Sequence, residues 1–281
     1  MNSMTDNHPT IAVPLTQLGL IEAGGTDAAA FLQGQLSNDV RQVTADRAQL
    51  TSHNSPKGRM LAVLHLLRRD EVFLLELHRS LIESTLKRLR MYVLRSKVTL
   101  SEVTDRVTFG LAGSRAADVL GRWGLPAPGT PLASAWAEDT CVTRRLGASP
   151  RYTVLAPGAR GAELWRQLSA HATAAGTDDW KRLDLEAGVP TIYPETQDRF
   201  VAQMCNLDTL GGISFDKGCY TGQEVIARVH YRGAVKRHMT LRRLEGTAPA
   251  PGTKLDAGEV VDAVAHPDGG SVGLVVGSTP S

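Results

Sequence analysis

Lys217-Gly218-Cys219-Tyr220-Thr221-Gly222-Gln223-Glu224 is the stretch on which the reading of this chain turns. Cys219 stands two positions after a lysine, and Gly218 and Gly222 bracket Cys-Tyr-Thr, freeing the backbone to turn tightly. Thr221 or Gly222 can open a helix that carries Gln223 to residue 228. A cysteine beside a cation and a helix N-terminus gains thiolate character. A lone cysteine is otherwise most often a buried structural residue. The octet's own chemistry leaves both readings open. It makes Cys219 and Lys217 the candidate catalytic pair, with Gln223 and Glu224 placed to orient the loop.

Working outward, the chain before the octet mixes strands and helices without strict alternation. Thr26 and Asp27 predict the start of a helix over 27–36, with Phe31, Leu32 and Leu36 on its apolar face. Strands are expected at 48–53 and 59–67, joined by the turn Asn54-Ser55-Pro56-Lys57-Gly58. Another strand at 72–77 and an amphipathic helix over 80–93 follow. Strands at 98–103 and 107–112 precede a helix over 114–123. The Pro/Gly-rich stretch 125–131 is the expected boundary between two modules. Strands near 141–146 and 152–156 come next, then helices over 162–174 and 178–187. Close strand pairs of this kind predict an α+β fold rather than a doubly wound parallel sheet. From Lys236 onward short strands alternate with Pro and Gly turns, which predicts a small antiparallel β-barrel over 236–281. The polar residues 1–14 are expected to form a flexible leader, ahead of a main region over 15–235.

Composition narrows the function classes. An apolar fraction of 42% with 21% charged residues suits a globular protein with a filled core. A net charge of +2 gives no field that would recruit nucleic acid or an acidic membrane. No apolar run approaches the roughly 20 residues of a membrane span, and the opening residues lack a signal-peptide pattern. Three widely spaced cysteines, Cys141, Cys205 and Cys219, argue against a disulfide framework and for a reducing compartment, the cytoplasm. With no C-x-x-C pair, no standing metal site is expected.

The octet resembles the hallmark of the YgfZ family, bacterial relatives of the glycine-cleavage aminomethyltransferase (T-protein). Other blocks resemble the family in the same order. They are Phe31-Leu32-Gln33-Gly34-Gln35 with Asn38-Asp39, then Ser55-Pro56-Lys57-Gly58-Arg59, then Arg182-Leu183-Asp184-Leu185-Glu186-Ala187-Gly188-Val189-Pro190. The resemblance implies two α+β modules and a barrel around a central cavity that holds tetrahydrofolate. It further implies an accessory role in synthesis or repair of iron–sulfur enzymes, including a radical-SAM tRNA-modifying enzyme. Folate and iron–sulfur client proteins are then the expected partners, without direct nucleic-acid binding.

The resemblance also suggests roles for single residues. Helix geometry pairs Glu186 with Arg182 in a surface ion pair, whereas the R-L-E-A-G likeness implies a carboxylate accepting from a pterin. Tyr193 falls where the T-protein family lines its folate site. Arg228 opens a basic run, followed by His230, Arg232, Lys236, Arg237, His238, Arg242 and Arg243. That run is a solvated face, a hold on the glutamate tail of folate, or a partner contact. One departure matters. The T-protein's acidic pair aligns with Ala62 and Val63, and no Asp or Glu occurs between Asp46 and Asp70. Aminomethyl transfer by that mechanism lacks its carboxylate here. A folate-dependent one-carbon transferase or demethylase and a non-catalytic folate-sensing module stand as the alternative readings.

Overall fold

The computed structural model describes residues 9–233 and 235–278. The first strand, β1 (Ile11–Pro14), leads into β2 (Leu18–Gly24) and α1 (Ala28–Gln35). Then come β3 (Gln49–Asn54), β4 (Met60–Arg69), β5 (Val72–His78), α2 (Ile82–Arg90) and β6 (Thr99–Val103). Strands β2 to β6 form a five-stranded antiparallel sheet in the order β3-β4-β5-β2-β6. Helix α2 shows why this sheet can be covered. Ile82, Leu86 and Leu89 recur at helical spacing and are buried, while Lys87, Arg88 and Arg90 occupy the last turn, where cations suit the dipole.

A second sheet starts directly at β7 (Arg106–Ala112), followed by α3 (Ala116–Arg122), β8 (Ser134–Ala137), β9 (Thr140–Arg144) and β10 (Arg151–Pro157). Helix α4 (Gly161–Ser169), the short β11 (Thr173–Ala174) and α5 (Thr177–Glu186) complete this part. The sheet order is β11-β1-β7-β10-β9-β8. Gly110 lies on β7 where Trp180 of α5 crosses it, and a Cβ there would strike the indole ring. Trp180 is 1% exposed, a packing residue between α5 and the sheet.

Two boundaries differ from the sequence reading. The leader expected over 1–14 is cut short, because Ile11–Pro14 is a strand paired antiparallel with β7 and parallel with β11. Its Ala12 and Val13 are fully buried, and the β-branched run Ile-Ala-Val supplies the strand propensity that the polar residues before it lack. Residues 1–8 of that leader lie outside the described residues. The module boundary expected at 125–131 is instead a connector within the second sheet, between α3 and β8. The chain changes sheets at Thr104-Asp105, between β6 and β7.

After the octet comes α6 (Gln223–Arg232), then β12 (Arg237–Leu244), β13 (Lys254–Leu255), β14 (Gly258–Ala265) and β15 (Ser271–Ser278). These four strands make an antiparallel sheet in the order β12-β15-β14-β13, half of a barrel rather than a closed one. A bulge on β14 between Val260 and Asp262 adds one residue against β15. The extra residue turns Asp262 and Val264 from the face of Val260 to the face packed on the body of the protein. The fold is α+β, as the strand pairing in the sequence predicts.

Candidate functional site

Two places carry the candidate residues. The first is a cavity where the first sheet, α5, the strap 189–193 and β14 meet. Its polar walls are ion pairs. Arg145 donates to Glu76 at 2.6 Å, and both side chains are at most 5% exposed. The other arm of the guanidinium donates to His65 Nδ1 at 2.7 Å, which leaves the ring proton on Nε2. Burial, with Arg145 and Arg151 nearby, holds His65 well below the ordinary imidazole range, so the ring is neutral. Asp184 pairs with Arg151 at 2.7 Å. Lys181 donates to Asp262 at 2.8 Å, and the Tyr193 hydroxyl donates to the other oxygen of Asp262 at 2.8 Å. Burial raises the Asp262 pKa, and Lys181 and Tyr193 oppose that shift.

The sequence candidates divide around this cavity. Tyr193 lines it, edge-on to His78 at 4.7 Å, with its hydroxyl committed to the half-barrel. Glu186 does not line it. The residue is the exposed last position of α5, and Asp184, on the other side of the helix, faces the cavity in its place. Arg228 is exposed on α6 and is not part of these walls. Val63 lines the cavity and Ala62 is buried in the core, so neither aligned position supplies a carboxylate. The three carboxylates that do line it, Glu76, Asp184 and Asp262, each have a cation in contact. His65, Glu76, Arg145, Lys181 and Asp262 carried no local signal in the sequence, because segments far apart in the chain bring them together.

A folate can be tested against these walls. Gln17 presents a buried carbonyl oxygen with no hydrogen-bond partner among the described residues. With Asp184 it offers acceptors suited to the N–H edge of a pterin, and Leu18, Val63, Leu77 and Val189 are apolar neighbours for a ring. The donor set fits. The open volume, about 60 Å³, is less than a six-membered ring needs (on the order of 150 Å³), so the walls have to part to admit one.

The second place is the octet. The segment from Gly211 to Thr221 is fastened to the end of α1 and the residues after it. Ser37 Oγ donates to Gly212 O at 2.7 Å, Asn38 Nδ2 to Gly211 O at 2.6 Å, and Ser214 N to Ser37 O at 3.0 Å. The Lys217 ammonium donates to Gln33 O, Leu36 O and Asn38 O at 2.7, 2.7 and 2.8 Å. Gln33 O and Leu36 O are among the carbonyls that the C-terminus of α1 leaves without helical partners. Thr221 N then donates to Gly34 O. Burial pulls the Lys217 amine down to about 8. All three N–H groups of the charged form have backbone acceptors, so the side chain anchors the octet to the end of α1.

Between buried Lys217 and buried Tyr220, Cys219 is exposed. Cys141 and Cys205 are buried, and burial pushes the Cys141 thiol up to about 12 and that of Cys205 also upward. Tyr220 lies under the Lys217 ammonium, 4.9 Å from ring centroid to nitrogen, and burial raises its phenol. Gln223 gives its backbone N–H to Tyr220 O, and Glu224 is exposed.

The two glycines of the octet are not equivalent. Gly222 caps α6 at φ 84°, and a Cβ there would lie 2.5 Å from Ser55 O and 2.9 Å from Gly58 Cα. Gly58 has φ 68° and faces Val225 and Gly222 in turn. The Ser-Pro-Lys-Gly-Arg turn and the octet thus pack glycine against glycine. Gly218 has no positive φ and open space around it. Gly222→Ala is expected to cost about 3 kcal/mol in urea unfolding, while Gly218→Ala stays within about 0.5 kcal/mol. Equal effects would contradict this packing.

Among the described residues no helix is long and apolar enough to cross a membrane. No protein-family model matches the chain. The chain is 36% identical over 248 residues to "tRNA-modifying protein YgfZ" of Edwardsiella ictaluri, covering 84% of this chain and 74% of that protein. It is 34% identical over 280 residues to the protein of the same description from Escherichia fergusonii, covering 95% and 85%. The glycine cleavage system aminomethyltransferase T from Bartonella henselae has the same fold at 18% identity, with a TM-score of 0.81 over 98% of this chain and 80% of that one. With such identity over most of both chains, the protein belongs to the YgfZ family.

Proposed function

We propose that the chain binds a tetrahydrofolate in the cavity between the two sheets and the half-barrel. From the anchored octet it presents Cys219 as the working thiol of an accessory protein for iron–sulfur enzymes. The observation that carries the thiol role is the contrast among three cysteines: two are buried with raised pKa values, and the third is exposed on a segment held by buried hydrogen bonds. A working side chain needs a supporting shell that fixes its place, and the anchored octet supplies one. The relatives' description as tRNA-modifying proteins supports a role in tRNA modification. In this reading the clients are iron–sulfur enzymes, including radical-SAM enzymes of tRNA modification, as the family resemblance implies. The partners in this reading are folate and those client proteins in the cytoplasm, without membrane or direct nucleic-acid contact.

Gln17 and Asp184 would hold the ring, and Tyr193 would close over it. Bound there, tetrahydrofolate would supply a nitrogen that carries one-carbon units. Each lining carboxylate is engaged by Arg145, Arg151 or Lys181, so none is free to act as the T-protein's carboxylate would. That pairing disfavours the transferase or demethylase reading. The test has two arms. Calorimetry with tetrahydrofolate is expected to show saturable binding that Cys219→Ala leaves unchanged. The same variant is expected to keep its melting temperature and lose rescue of an iron–sulfur enzyme defect in cells. Absence of folate binding would remove the cofactor, and full rescue by Cys219→Ala would remove the thiol.

A further inference from the structure

A second pocket, independent of the folate reading, lies between the end of β3, the start of β4 and α2. It measures about 230 Å³, and its walls include His53, Leu61, Thr85, Lys87, Arg88 and Met91. Its polar groups are unusual in one respect. His53 is 1% exposed, and neither of its ring nitrogens has a hydrogen-bond partner among the described residues. Thr85 Oγ1 and Arg88 Nε are buried and unpartnered as well. Each such group costs about 1–3 kcal/mol if nothing meets it. Natural interiors pair nearly all such groups with protein, water or a ligand.

The charge around the pocket selects the ligand. Lys87 and Arg88 line it, no Asp or Glu does, and neither cation forms an ion pair among the described residues. Water can satisfy the imidazole and hydroxyl, but it leaves the half-buried guanidinium without a counter-charge. Burial, reinforced by Arg88, lowers the His53 pKa to about 4, so at neutral pH the ring offers one N–H and one lone pair. A metal ion is disfavoured by the two cations and by the lack of further ligands. Leu61 and Met91, the latter 59% exposed, add an apolar wall that a bare inorganic anion would not use.

We propose that this pocket binds a small organic carboxylate, its oxygens held by Arg88, Thr85 and His53 and its apolar body lying on Leu61 and Met91. The probe is benzoate, followed by NMR of the protein with isotope-labelled histidine. A saturable shift of the His53 ring signals is expected. Arg88→Gln should weaken it about tenfold or more, the equivalent of one charge-assisted hydrogen bond. Arg95→Gln, at an exposed site beyond α2, should leave it unchanged. Benzyl alcohol, of similar shape and uncharged, should give no saturable shift with the unmodified protein, a result that does not depend on any variant folding. The proposal is overturned if benzoate fails to shift His53, if benzyl alcohol does so equally, or if inorganic phosphate alone binds. Displacement of benzoate by tetrahydrofolate would also overturn it, by making the pocket part of the central cavity.

Discussion

Replacing Lys217 with methionine is expected to lower the stability of the protein by about 3–5 kcal/mol, since three backbone carbonyls lose their shared donor and a buried unpaired group costs about 1–3 kcal/mol. The side chain is 5% exposed and its ammonium is shared by three backbone carbonyls at 2.7–2.8 Å. Methionine keeps the length and apolar stem but donates nothing, so Gln33 O, Leu36 O and Asn38 O lose their donor together. Two of the three, Leu36 O and Asn38 O, make buried contacts with it, where water cannot readily substitute. Urea unfolding of Lys217→Met should show a midpoint well below wild type at unchanged slope. A lysine whose only task was to raise thiolate at Cys219 would behave differently, changing the rate of thiol alkylation and leaving the midpoint in place. That pattern would refute the anchoring role.

Most of the regular structure was legible because it rests on local patterns. The helix over 80–93 reads from Ile82, Leu86 and Leu89, and the strand pairs read from apolar runs between turn residues. Strand β1 was not, because four residues ending in proline look like a leader until β7 and β11 supply partners on both sides. The octet was legible as a unit, yet the role of its lysine was not. The sequence places Lys217 two residues from Cys219, a spacing that strand alternation would put on one side, whereas the segment is irregular there and buries the lysine while leaving the thiol exposed. Its acceptors lie 179–184 residues earlier in the chain, beyond the reach of spacing arguments. The cavity was the least legible part. Asp262 sits in an apolar run, Val260-Val261-Asp262-Ala263-Val264, and only the bulge decides which face it takes. In the same way the block around Glu186 drew attention to a carboxylate, and helix phase selected Asp184 instead.

The protein is expected to lose stability steeply as pH falls from 7 to 5, and two buried histidines are the reason. His53 and His65 are 1% and 6% exposed, and both are neutral in the folded state. Burial is the main cause in each case, with Arg88 adding to it at His53 and Arg145 and Arg151 at His65. In the unfolded chain both rings titrate near 6.5. Below that pH the unfolded state binds protons that the native state refuses, so the stability of the native state falls as pH falls. For His53, with a folded value of about 4, the loss between pH 7 and pH 5 is about 2 kcal/mol. It continues until pH reaches that folded value. His65 acts in the same direction over the same upper range. Asp262 opposes them weakly, since its raised pKa favours the folded state once acid protonates it. Urea midpoints measured at pH 7, 6 and 5 should therefore fall in sequence. His53→Leu, which fills its site without a titrating ring, should remove a clear part of the slope. A variant with the full wild-type slope would show that His53 accepts its proton without unfolding, and that its burial is not what holds it neutral.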